Sequence, residues 1–423
     1  MSGLKLAVRA LTKSPFVTAV AVLSLALGIG ANAAIFSMFD EMLLRALPVQ
    51  EPDRLVNLSA PGPKPGSQSC NQAGDCDAVF SYPMFRDLEQ ARGAFSGLAA
   101  HRLFGVNLAR TGETQSGEGL LVSGSYFPVL GVQPALGRLL GPGDDEVPGG
   151  HFVTVLDYDY WQNRLGGDPG VLNQPIMVNG QSLTVVGVAP AGFDGTTLGG
   201  DPDVYVPLSM RGMLERLGDP GFENRRSYWA YVFGRMAPGV TIERADAEIN
   251  TVYASIVNEV EAPLQEGMSA ETLERFRQKR LGLEPGYRGQ SSIHAEVRTP
   301  LAILFAVTGV VLLIACANIA NLLLARGAGR SQEMAIRGSL GAGRGQLMRQ
   351  LLTESVLLAV LGGLASLVVA RWTLRFIASI LPPEASSSLS LALDPRVLLF
   401  AAVLSVGTGI LFGLYPAIAN SRP

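Results

Sequence analysis

Few residues in this 423-residue chain combine the type and the spacing that chemistry needs. Two acidic doublets, Asp157-x-Asp159 and Asp201-x-Asp203, could offer carboxylates to a metal, but neither has a third ligand nearby in sequence. Strand and loop surface is the simpler reading of both. The three histidines, His101, His151 and His294, lie far apart, so a zinc site would have to be assembled by the fold from scattered positions. The glycine-rich run Gly341-Ala342-Gly343-Arg344-Gly345 lacks the lysine and hydroxyl with which a G-x-x-x-x-G-K-[ST] loop holds phosphate and magnesium. No G-x-S-x-G nucleophile elbow occurs either. The chain is therefore expected to have no catalytic, metal or cofactor-binding residues, with any ATP bound by a partner.

Cysteines and a basic loop remain. Cys70 and Cys76 have five residues between them in a Gly- and Asp-containing loop, and in an oxidising compartment a disulfide would close that loop. Two free thiols are the alternative. The stretch ARGAGRSQEMAIRGSLGAGRGQLMRQ carries Arg326, Arg330, Arg337, Arg344 and Arg349 against the single acid Glu333. Short arginine-rich loops stay in the cytoplasm. Ser331 to Leu340 is expected to form a short helix stopped by Gly341, which puts Glu333 and Arg337 four apart on one face. Arginines that only fix topology and bind anionic lipid are the plainer alternative. Glu354, at the start of the following apolar run, is expected to snorkel or to pair with an arginine of the loop.

The elements that must position these groups are apolar. Residues 299–325 contain no charge over 27 positions, whereas about 20 apolar residues cross a bilayer core. Further runs cover 14–39, 351–370 and 397–421, giving four transmembrane helices. Cys316 falls inside the second and is expected to behave as a small apolar residue. Small residues recur every four positions at Ala26, Gly30 and Ala34, and again at Ser405, Gly409 and Gly413, the spacing that lets helices approach closely. Residues 1–13 place Leu4, Ala7, Val8 and Leu11 opposite Lys5, Arg9, Thr12 and Lys13, as in a helix lying on the inner membrane surface. The composition agrees: 48% of residues are hydrophobic and 16% charged, against roughly 25% charged in soluble domains. A net charge of -3 gives nucleic acid no electrostatic footing.

Residues 40–298 have ordinary charge and no run long enough to span, so they form a large extracytoplasmic α+β domain of two subdomains, inserted between helices 1 and 2. HFVTVLDYDYWQNRL and PIMVNGQSLTVVGVAP read as β-rich, with Asn179-Gly180 as a hairpin turn, and DVYVPL as another strand. Thr241 to Val260 reads as a helix capped by Thr241. Residues 326–350 form the cytoplasmic loop and 371–396 a short external one, with Trp372 at the outer interface. Both termini are then cytoplasmic.

The N-terminal SPFVTAVAVLSLALGIGANAAIFSMFDEMLLRALP is similar to the first helix of the duplicated MacB-like permeases of acidobacteria. VSGSYFPVLGVQPALGR, WQNRLGGDPGVLNQPIMVNGQSLTVVGVAPAGF and YVFGRMAPGVTIERADAEI resemble the MacB-like periplasmic core domain, and RSQEMAIRGSLGAGRGQLMRQLLTES resembles the loop that touches the ATPase in this family. The resemblance to the MacB/FtsX type of ABC transporter permease implies a plasma-membrane subunit that passes conformational change from a cytoplasmic ABC ATPase to its external domain for efflux. It assigns Glu333, Arg337, Gly341 and Arg344 to the ATPase contact. A second copy or homologous half, membrane lipid and a periplasmic adaptor are the other partners it implies. Two departures stand out. No ATPase precedes the first helix, and the second half of the duplicated relatives is absent, so this is a single-unit version or the first half of a longer one. The alternative function is FtsX-like regulation of an external partner such as a cell-wall hydrolase. A membrane-anchored enzyme would need a deep pocket with converging ionisable groups.

Overall fold

The computed structural model describes residues 11–90, 93–110, 113–215, 221–328, 344–380 and 394–419. They fall into two compact units, Arg45–His294 and the pair Met1–Leu44 with Ala295–Pro423.

The second of these is the helical one. Pro15–Phe39, Ile293–Ala328, Arg344–Ile380 and Pro395–Ala419 are helices, each long and apolar enough to cross a membrane. The second and third run well beyond the apolar stretches 299–325 and 351–370. Bilayer thickness limits how many apolar residues are needed, but it does not stop a helix that continues with Glu296 and Arg298 or with Arg371 and Arg375. The small-residue spacings mark real contacts. A Cβ built on Gly30 would lie 2.8 Å from the Val369 side chain and 2.9 Å from the Ser366 carbonyl, and one on Gly409 would lie 2.7 Å from Ala359. First and fourth helices thus both pack on the third. The first meets the second through Asn32, whose Nδ2 donates to the Thr308 carbonyl at 2.9 Å while its Oδ1 accepts from the Thr308 hydroxyl at 3.2 Å.

Arg45–His294 is organised by one twelve-stranded sheet. In chain order the first six strands are β1 (Leu55–Ser59), β2 (Ser67–Gln68), β3 (Val79–Ser81), β4 (Phe95–Arg110), β5 (Glu113–Val122) and β6 (Leu136–Gly137). The rest are β7 (Val153–Leu156), β8 (Pro175–Val178), β9 (Gln181–Val188), β10 (Pro202–Pro207), β11 (Ser227–Met236) and β12 (Gly282–Pro285). Their order is β12-β1-β11-β4-β5-β10-β7-β9-β6, with β2 and β3 on β11 and β8 on both β4 and β9. The long central strand β4 pairs antiparallel with β11 on one side and β5 on the other.

Both faces of the sheet are covered, and alternation along β4 shows how. Leu98, Ala100, Phe104, Val106 and Leu108 join one apolar cluster with the helices Tyr82–Glu89 and Ile242–Ile256; Ala99 and Leu103 join the other with the helix Tyr126–Leu130. The β8–β9 hairpin turns at Asn179 and Gly180, both at positive φ (49° and 84°), as a primed turn requires. Thr241 caps its helix by accepting from the Arg244 amide.

One sequence expectation is corrected here. β7 ends at Leu156, and Tyr158–Leu165 is a helix where HFVTVLDYDYWQNRL reads as β-rich throughout. Asp157 decides the matter: its carboxylate accepts from the amides of Asp159 and Tyr160, and Gly166 at φ 66° ends the helix.

Candidate functional site

The chain leaves β12 and reaches the second membrane helix through residues 286–292, and this lead-in is fastened by backbone and side-chain hydrogen bonds. Gln290 is buried, its amide donating to the Thr196 carbonyl at 2.8 Å and its Nε2 to the Val232 carbonyl of β11 at 3.0 Å. Its Oε1 meets His101 Nε2 of β4 at 2.8 Å. Because that oxygen can only accept, His101 carries its proton on Nε2, leaving Nδ1 bare; no partner reaches Nδ1. A bare, buried imidazole nitrogen is tolerable only in the neutral ring, and burial pushes the His101 pKa down to about 4. Gly289, at φ 81°, passes so close to the Thr196 carbonyl that a Cβ there would collide with it.

Neighbouring residues extend the fastening. Ser291 Oγ donates to the Leu198 carbonyl at 3.2 Å and accepts from the Ile293 amide at 3.1 Å. The Leu47 amide, just past the first membrane helix, donates to the Tyr287 carbonyl at 2.8 Å, so the outgoing and returning segments are bonded to each other. Ser292 donates from its amide to the Gln72 carbonyl at 3.1 Å. Gln72 belongs to the loop between Cys70 and Cys76, which the structure joins as a disulfide with Cα atoms 5.3 Å apart.

Of the other sequence-derived positions, Glu333, Arg337 and Gly341 lie outside the described residues. Arg344 opens the third membrane helix, ahead of the apolar run at Leu351. Asp157 is not the surface carboxylate expected but a buried helix cap, 4% exposed, and burial raises its pKa to about 7. Asp203 is raised to about 6, first by burial and then by Asp201. Among the described residues no three His, Cys, Asp or Glu side chains converge to hold a metal ion. A small cleft beside β3 is lined by Lys64, Lys279, Tyr228 and Glu261. Lys64 donates there to the carbonyls of Cys76, Asp77 and Val79, and Lys279 donates to the Pro63 carbonyl at 3.1 Å. The His101–Gln290 fastening left no trace in sequence spacing, because its partners are 189 residues apart. Asn32 could have been singled out as an amide inside an apolar helix.

Residues 18–252 match the MacB-like periplasmic core domain, and residues 305–422 match the FtsX-like permease C-terminal domain. The pyoverdine export ATP-binding/permease protein PvdT of Pseudomonas syringae pv. tomato is 26% identical over 304 residues, 70% of this chain and 40% of that protein. The macrolide export ATP-binding/permease protein MacB of Marinobacter nauticus is 24% identical over 426 residues, 98% of this chain and 58% of that one. The chain thus spans about half the length of the curated relatives it matches. The periplasmic region of MacB from Actinobacillus actinomycetemcomitans aligns over 55% of this chain and 89% of its own length with a TM-score of 0.38 and 14% identity. With more than half of its residues inside the first domain match and its last three membrane helices inside or overlapping the second, the chain belongs to the MacB/FtsX-type family of ABC transporter permeases.

Proposed function

We propose that this chain is the mechanical module of an ABC exporter, in which ATP is bound and hydrolysed by a nucleotide-binding partner or domain outside residues 1–423. Movement delivered to the basic loop 326–350, where Glu333, Arg337, Gly341 and Arg344 would meet the ATPase, passes along the second membrane helix into residues 286–292 and so into the sheet. The observation that carries this reading is the Gln290 fastening: buried bonds to β4 and β11 tie the segment leading into that helix to the centre of the sheet. A lead-in meant only to connect would have no need of a buried amide matched at three polar atoms. Both termini and the basic loop face the cytoplasm, anionic lipid contacts the arginines, and a second copy or homologous half completes the complex. The relatives named above are exporters of pyoverdine and of macrolides, and a periplasmic adaptor would receive the movement here.

Co-purification from native membranes followed by mass spectrometry tests the proposal. An ABC ATPase recovered in stoichiometric amount, with an adaptor or outer-membrane channel, is the expected result. Recovery of a cell-wall hydrolase with the ATPase would replace export by regulation of that enzyme, and recovery of no nucleotide-binding protein would overturn both.

A further inference from the structure

The outermost point of the fastening lies in a loop closed by one covalent bond. Ser292, the last residue before the second membrane helix, donates its amide to the Gln72 carbonyl at 3.1 Å and its hydroxyl to the same oxygen at 3.4 Å. Gln72 is held in place from three directions. Its Nε2 reaches Glu118 at 3.2 Å and the Gly199 carbonyl at 3.4 Å. The adjacent Asn71 amide donates to the Tyr231 hydroxyl at 2.7 Å, which in turn donates toward the Gly74 carbonyl at 2.9 Å. Around both residues, the Cys70–Cys76 bond closes the loop. Cys76 is exposed whereas Cys70 is half-buried, so a thiolate arriving from solvent meets the Cys76 sulfur first.

We infer that Cys70 and Cys76 form a thiol–disulfide switch whose oxidised state fastens the lead-in of the second membrane helix to the sheet. A dithiol reductant supplies the chemistry. One of its thiolates attacks Cys76 Sγ, and the Cys70–Cys76 bond breaks with its electron pair on Cys70, which takes up a proton. The reductant's second thiol then attacks the mixed disulfide, Cys76 leaves as a thiolate and is protonated, and the reductant departs as its own disulfide. Two electrons and two protons reach the protein. Once open, the loop holds the Gln72 carbonyl against Ser292 by hydrogen bonds alone, to Glu118, the Gly199 carbonyl and Tyr231, while Gln290 stays bonded to His101 and Val232 deeper in the fold. Reduction therefore loosens the last two residues before the helix and leaves the sheet intact. Any effect on export rests on the coupling role proposed above, but the fastening does not.

Hydrogen exchange on the full chain in lipid nanodiscs reads the fastening alone, with no ATPase required. Dithiothreitol is the reductant, and reoxidised protein is the control. The Ser292 amide is expected to exchange about tenfold faster after reduction and to recover on reoxidation, with β4 and β5 unchanged. Cys70→Ser with Cys76→Ser should match the reduced protein, and if that variant fails to fold the wild-type redox pair still decides. Unchanged exchange at Ser292 in protein whose thiols are shown by mass to be free would overturn the switch. So would finding both thiols free in protein purified without reductant.

Discussion

In the membrane unit the helices meet where side chains are missing, whereas in Arg45–His294 the sheet is crossed by buried polar groups that find partners. Gly30 and Gly409 bring backbones together, and the surrounding surface is a lipid-facing coat of residues such as Leu23 and Leu27, 61% and 60% exposed. Lipid is as apolar as those side chains, so burying them would gain little, and close packing plus the Asn32–Thr308 pair must supply specificity. In the sheet unit water drives burial, so apolar side chains cover both faces; Gln290 and Asp157 can be buried because they are matched by donors or acceptors, and His101 because it is matched at Nε2 and stays neutral. The same chain therefore uses two currencies of cohesion, and mutations should respond differently on the two sides.

The largest expected difference concerns size at the helix contacts. Gly30→Leu should cost about 3 kcal/mol or more, since even its Cβ has no room, and would appear as loss of monodisperse protein in detergent. Leu23→Ala, on the lipid face, should be nearly neutral by the same assay. Equal damage from both would erase the contrast.

The next effect belongs to the sheet unit and depends on pH. His101 has its folded-state pKa lowered from 6.5 to about 4, so between those values the unfolded chain binds a proton that the folded one refuses. Stability from this group is complete above pH 6.5 and is lost as pH falls, by about 2 kcal/mol at pH 5. Asp145 and Asp157 act in the opposite sense: burial raises them to about 6 and about 7, so the folded protein keeps protons the unfolded chain has released, and their contribution grows as pH falls through that window. The His101 share is therefore read as a difference. Chemical denaturation of wild type and His101→Asn at pH 7 and pH 5 should show the variant losing about 2 kcal/mol less on acidification; parallel losses would show that His101 does not titrate as its burial demands.

Smallest is the helix cap. Thr241→Ala removes the acceptor for the Arg244 amide and should lower the stability of the sheet unit by about 1 kcal/mol in the same denaturation experiment, with no effect on the membrane helices.

The two units also differ in how much the sequence reveals. Four uncharged runs are legible because a bilayer imposes length directly on composition, and Asn179-Gly180 and Thr241 are legible because turns and caps are local. Tyr158–Leu165 departs from its β-rich reading because the Asp157 cap starts a helix there. The Gln290 fastening is invisible to any pattern of spacing, since β4, β11 and residues 286–292 are brought together only by the sheet order. The glycine contacts fall between these cases: the four-residue period is visible, but the partners Ser366, Val369 and Ala359 are not.

The proposed drive from the basic loop is tested by permease-stimulated ATP hydrolysis in reconstituted membranes with the co-purified ATPase. Glu333→Arg makes the loop more basic and should leave insertion and lipid attraction intact, while Gly341→Val removes the residue expected to stop the loop helix. Loss of ATPase binding and of stimulated hydrolysis in both variants is the predicted result. Undiminished binding and stimulation in both would contradict the coupling role and leave the loop as a topological anchor.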